Sequence, residues 1–177
     1  MSSQPITLRI GDKVVYPNHG VGVVEQIISR TNGSIIEKFY MLKIASSSLR
    51  VSIPSHSVAN VGLRPVVKNG EVQKILDFLN SGKCGSHQDW KERYKENCDK
   101  MRTGSLLDVA FVLKGLLMLN QDKPLSFREK KMLERAKFLL VSEIALAKNT
   151  PESDIEDLIS KHLSKAKLRF PDLTADA

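Results

Sequence analysis

Up to about residue 65 the apolar positions come in short runs broken by turn residues. Lys13-Val14-Val15-Tyr16 stops at Pro17, and Gly20-Val21-Gly22-Val23-Val24 continues to Ile28. Asn32-Gly33 then forms a hairpin turn, Ile35 to Ile44 returns, Ser46-Ser47-Ser48 loops, and Leu49 to Ile53 closes at Pro54. Short strands rich in Val and Ile, joined by tight turns, predict a small SH3-like or Tudor-like β-barrel. Barrels of this kind generally dock onto other molecules and do not catalyse.

From Glu71 onward the period is helical, with Val72, Ile75, Leu76 and Leu79 marking the first apolar face, which ends at Asn80-Ser81-Gly82. A polar link leads to Ser86-His87-Gln88-Asp89, where a serine followed three residues later by a carboxylate serves a helix start and leaves Trp90 in the first turn. The device recurs at Ser105-Leu106-Leu107-Asp108 and at Ser126-Phe127-Arg128-Glu129, and Thr150-Pro151 offers a cap with a proline at the first helical position. Five helices are expected. The third carries Leu106, Val109, Ala110, Leu113, Leu116 and Leu117 on one face, and the fourth carries Met132, Leu133, Ala136, Leu139, Leu140 and Ile144. These two should form the core, with the helix of Trp90 as a third wall. The fold class is therefore α+β: a β-barrel over residues 1–68, an all-helical domain over 69–167, and a disordered tail over 168–177.

The chain of 177 residues is 41% hydrophobic, enough for one sizeable core or two small ones. Met1 to Pro5 lacks the charged and then apolar pattern of a leader, and no segment approaches the roughly 18 continuous apolar residues of a membrane span. A cytoplasmic, monomeric protein with no membrane partner is expected. The net charge of +7 favours an anionic partner. Residues 1–70 hold eight Lys or Arg against three acids, residues 91–137 twelve against seven, and residues 138–177 five against seven. Two basic regions on differently built halves suggest two binding surfaces.

Trp90, the sole tryptophan, stands in Asp89-Trp90-Lys91-Glu92-Arg93-Tyr94-Lys95-Glu96-Asn97. A rigid ring among cations can press on a base step while its neighbours neutralise phosphates. The other reading is a buried stripe, since Trp90, Tyr94, Cys98 and Met101 fall at helical spacing. Little points to catalysis. Gly20-Val21-Gly22 lacks the Gly-Lys-Ser/Thr ending of a phosphate loop and reads as a turn or bulge. His19, His56, His87 and His162 are scattered among different elements, and His162, beside Leu158, Ile159 and Leu163, reads as a half-buried structural residue. Cys84-Gly-Ser-His87 with Cys98 matches no zinc spacing, so reduced thiols, no metal and no cofactor are expected.

Gly11-Asp12-Lys13-Val14-Val15-Tyr16-Pro17-Asn18-His19-Gly20-Val21-Gly22 resembles the opening of the CarD/CdnL family of bacterial transcription regulators. Val61-Gly62-Leu63-Arg64, Trp90-Lys91-Glu92-Arg93-Tyr94-Lys95, Thr103-Gly104-Ser105, Leu125 to Leu133 and Glu143 to Lys148 stand in that family's order. The resemblance spans residues 8–165 and is nearest to the short, CdnL-like branch. Transcription-repair coupling factors share the barrel opening, whereas the Trp-x-x-Arg-Tyr and Leu-Ser-x-x-Glu-Lys segments together mark CarD/CdnL.

The resemblance implies a barrel that binds the β-subunit lobe of RNA polymerase and a helical domain that stabilises the open promoter complex. Trp90 matches the tryptophan that wedges into the minor groove at the upstream edge of the bubble. Arg93, Lys95 and Lys130 match positions that bear on the DNA backbone, and Arg128 and Lys131 join that set. Arg30 matches a polymerase-contacting arginine. Ser52 stands where some relatives carry such an arginine, with Arg50 on the same strand face, and Glu92 stands where some carry a basic DNA contact. DNA binding is expected to be weak and largely independent of sequence, because phosphate contacts and a wedge read shape. The alternative is a protein–protein adaptor on the polymerase, without DNA contact and with Trp90 as an interface anchor.

Overall fold

A computed structural model describes residues 6–81, 83–85 and 89–173. The chain divides into two compact units between Val66 and Val67. The first holds strands β1 (Lys13–Tyr16), β2 (Gly20–Asn32), β3 (Ile35–Ile44), β4 (Arg50–Pro54) and β5 (Arg64–Pro65), which form one antiparallel sheet in the order β4-β3-β2-β1-β5. Strand β2 runs beyond the expected Ile28 because its pairing with β3 continues to Asn32 opposite Ile35. The loop between them is Gly33-Ser34, and Gly33 takes φ +62°, the left-handed value a two-residue hairpin loop needs at its first position.

Alternation along the strands aims Val14, Val24, Leu42, Tyr40 and Ile53 at one core, which Leu8, Val58 and Leu63 close. Strand β5 was not foreseen, being two residues long and containing a proline. It is tolerated because Pro65 lies on an edge strand, opposite Val14. Gly20 and Gly22 belong to the hairpin of β1 and β2, as the turn reading supposed. A Cβ on Gly22 would meet the Lys43 carbonyl oxygen at 3.1 Å and Ile44 Cδ1 at 3.2 Å. Glycine is thus needed at position 22 for the close approach of two strands.

The second unit holds α1 (Asn69–Ser81), α2 (Trp90–Arg102), α3 (Leu106–Asp122), α4 (Phe127–Lys148) and α5 (Glu152–Lys165). Helices α3 and α4 carry the centre of the core, and of the residues expected on their inner faces only Met132 stops at half-burial. The third wall is different from the expected one. It comes from α1, with Val72, Ile75, Leu76 and Leu79, and from α5, with Ile155, Ile159 and Leu163, whereas α2 gives the cluster only Met101. Each fully buried Leu or Ile contributes about 1.5–3 kcal/mol, so α1 and α5 are tied to the core far more firmly than α2.

Ser105 and Ser126 cap α3 and α4 as expected, Ser126 in a full capping box with Glu129. Helix α5 starts one residue late: the Thr150 hydroxyl donates to the Lys148 carbonyl, and the Pro151 carbonyl accepts from the Asp154 and Ile155 amides. The residues expected to close α1 and open α2, Gly82 and Ser86, lie outside the described residues, as do the leader reading at Met1 to Pro5 and His87 of the weighed metal group. The disordered tail also needs correcting. Leu168 is buried, Phe170 packs on the same core beneath Lys137, and Gln121 donates to the Lys167 carbonyl, so apolar burial holds the chain through Phe170; residues 174–177 lie outside the described set.

Cys84 and Cys98 are free and half-buried, and among the described residues no group of His, Cys, Asp and Glu gathers as a metal ion would need. His162 is half-buried, and burial, helped by Lys165, pushes its pKa down. Among the described residues no helix is long and apolar enough to cross a membrane.

Candidate functional site

Helix α2 begins at Trp90 because the Asp89 carboxylate accepts the Lys91 amide at 3.1 Å, while the Asp89 carbonyl accepts from the Arg93 amide. Trp90 therefore occupies the first helical position, before α2 makes its contact with the core. The residue is 55% exposed, and the Lys91 ammonium lies 5.9 Å from its ring centre. The spacing 90, 94, 98, 101 thus does not describe one buried stripe. Met101 is buried, Tyr94 and Cys98 are half-buried, and Trp90 stands outside.

Arg93 turns the other way. It is buried, and its Nη2 donates to Glu129 Oε1 at 3.1 Å. The other oxygen of that carboxylate accepts the Ser126 amide at 2.9 Å, and the Glu129 amide donates back to the Ser126 hydroxyl. Burial pushes the Glu129 pKa up, but the hydrogen bonds from Ser126 and Arg93 together outweigh it and hold the carboxyl below its ordinary value of 4.5. A single carboxylate thereby completes the cap of α4 and joins the first turns of α2 and α4. Arg93 was expected to face DNA phosphates, and here it ties helix to helix.

The other cations of the candidate surface stand on the same two helices. On α2, Lys95 is exposed one turn beyond Lys91. On α4, Arg128 and Lys131 are exposed and Lys130 is half-buried; Lys131 lies 3.5 Å from Glu134. Hydrogen bonding to Cys98 holds the Tyr94 phenol above its ordinary pKa while the charge of Arg128 pulls it down, so Arg128 stands within electrostatic reach of α2. Glu92 is exposed on the first turn of α2. Two participants were not legible from sequence. Glu129 signalled only a cap, and Phe127, given no role of its own within the capping segment, is 75% exposed at the first position of α4.

The strand unit presents a second surface. Residues paired across an antiparallel sheet share a face, so the pairs Gln26 with Met41, Ile28 with Phe39, Arg30 with Glu37 and Met41 with Ser52 put Arg30 and Ser52 on the outer face of β2, β3 and β4. Arg30 is exposed, its guanidinium 5.3 Å from the Phe39 ring centre. Arg50 is exposed on the same face, but its Nε donates to Glu25 Oε2 at 2.9 Å, and Lys43 lies 3.8 Å from the same carboxylate. Glu25 is the extra residue of a bulge between Val24 and Gln26. The Arg50 hydrogen bond lowers the Glu25 pKa, so Glu25 stays ionised and offsets part of the charge that Arg50 was expected to offer.

Two known domain families match the chain: the CarD-like/TRCF RID domain over residues 8–67, and the CarD C-terminal domain over residues 74–160. A protein of Bacillus subtilis (strain 168), YdeB, whose name describes it as a transcription factor, is 32% identical over 148 residues, covering 84% of this chain and 97% of its own length.

Proposed function

Because this chain belongs to the CarD family of transcription regulators, we propose that it binds the β-subunit lobe of RNA polymerase through residues 1–68 and stabilises the open promoter complex through residues 69–167. The observation that carries this reading is Trp90, a tryptophan left 55% exposed at the first position of α2 with the Lys91 ammonium 5.9 Å from its ring centre. The ring wedges into the minor groove at the upstream edge of the bubble, and Lys95, Arg128, Lys130 and Lys131 bear on the DNA backbone. Arg93 acts through its ion pair with Glu129 and fixes the direction of α2.

Linkage supplies the mechanism: a protein that binds the open complex more tightly than the closed one shifts the equilibrium by that difference and by nothing more. Unstacking a base step costs a few kcal/mol, and an aromatic face recovers part of it only where the duplex is already distorted. The strand unit tethers the helical unit and raises its effective concentration at the promoter. Strong salt dependence and weak sequence preference follow from phosphate contacts.

The direct test is a photocrosslinker at position 90 in the protein bound to a polymerase–promoter complex. Crosslinks to DNA at the upstream bubble edge are expected; crosslinks to polymerase alone would replace this reading with that of an adaptor. On the other surface, Arg30 is exposed on the outer sheet face with Ser52 and Arg50. Arg30→Glu is expected to weaken capture of the β subunit about tenfold or more, since a reversed charge at an interface costs more than 1.4 kcal/mol. Undiminished capture, with an unchanged melting curve, would remove Arg30 from the polymerase surface.

A further inference from the structure

Phe127 repeats the arrangement at Trp90. Each ring opens a helix at its first position, directly after a capping residue, and each has a lysine over it: Lys91 at 5.9 Å from Trp90 and Lys131 at 5.6 Å from Phe127. Both rings are left in water, Phe127 at 75% exposure. The Arg93–Glu129 ion pair fastens the two helix starts together, so each ring lies within one turn of the same buried junction. A large exposed apolar side chain on a rigidly capped turn gains nothing for folding. Its neighbours decide what could cover it: Arg128 follows it in the first turn of α4, exposed, and the Lys131 ammonium lies 5.6 Å from its ring centre. A second copy of this surface would bring like charges together. A polyanion that also offers apolar faces satisfies both the cations and the ring.

We propose that Phe127 is a second aromatic contact with duplex DNA, its ring pressed on the sugars and base edges beside the step that Trp90 opens. Two rings on joined helix starts make a two-point grip. One enters the step, and the other braces the adjoining nucleotides, as apolar side chains of architectural proteins do in the minor groove. Lys131 then stands where it reaches a phosphate without leaving the ring. This inference rests on the reading of the helical unit as the part that contacts DNA.

The test compares full-length wild type, Phe127→Ala and Trp90→Ala in one measurement, the half-life of a polymerase–promoter open complex, alongside polymerase capture and melting temperature. Phe127→Ala is expected to shorten the half-life about fivefold, equivalent to about 1 kcal/mol, with capture and melting unchanged. A photocrosslinker at position 127 should mark promoter DNA. If Trp90→Ala shortens the half-life and Phe127→Ala does not, the second contact is wrong while the proposed function stands. If neither variant changes it, both fall. Reduced polymerase capture by Phe127→Ala, or crosslinks from position 127 to protein only, would make the ring a protein contact and overturn the inference.

Discussion

Glu129→Ala is expected to lower the stability of the helical unit by about 3 kcal/mol, the low end of what removing one member of a buried ion pair costs. For a unit of this size that corresponds to a fall of roughly 10–15 °C in melting temperature. Two losses combine: Arg93 is left as a buried charge without the carboxylate 3.1 Å away, and the Ser126 amide loses its acceptor. The double variant Arg93→Met with Glu129→Leu should regain most of the deficit, since well-packed apolar residues replace such pairs at little cost. About 1 kcal/mol should remain missing for the hydrogen bond at the cap. A double variant no more stable than Glu129→Ala would show that the pair is not the source of the effect.

The same carboxyl gives a pH dependence of defined sign. Its folded pKa lies below its ordinary value of 4.5, so the stability it contributes is fully present above about 4.5 and is lost as pH falls through the folded value. Melting curves of wild type and Glu129→Gln should therefore differ most at neutral pH and converge on acidification. A gap that widens in acid would contradict the ion-pair geometry.

Trp90→Ala should behave in the opposite way. With Trp90 55% exposed and absent from the buried cluster, truncation is expected to change stability by no more than about 0.5 kcal/mol. The open-complex half-life in the presence of the variant should fall about tenfold, the equivalent of about 1.4 kcal/mol. Together with Glu129→Ala this separates a residue that contacts from one that aims. A marked loss of melting temperature in Trp90→Ala would instead return the indole to the interior.

Strand and helix periods were legible where many residues repeat them. Strands β1 to β4 and the inner faces of α3 and α4 followed from alternation and 3.6-residue spacing, because burial of one face fixes each pattern. Strand β5 was illegible: two residues, one of them Pro65, carry no period. The family motifs named Trp90, but local spacing could not free it from Met101, since a helix that dips into the core only at its far end has the same pattern as one buried throughout. The capping pattern placed Trp90 in the first turn of α2, where the Asp89 cap holds it. Arg93 and Glu129 are 36 residues apart, and no local pattern announces such a partnership. Phe127 went unnoticed because a lone phenylalanine in a capping segment is ordinarily taken for core.

A carboxylate that closes one helix start and holds another has a consequence for recognition. Splaying α2 away from α4 would take Arg93 from the buried Glu129 carboxylate, so intermediate orientations are penalised by a separated buried ion pair. The end that carries Trp90 and Phe127 is in this way preorganised before any partner arrives, and association should demand little loss of backbone freedom there.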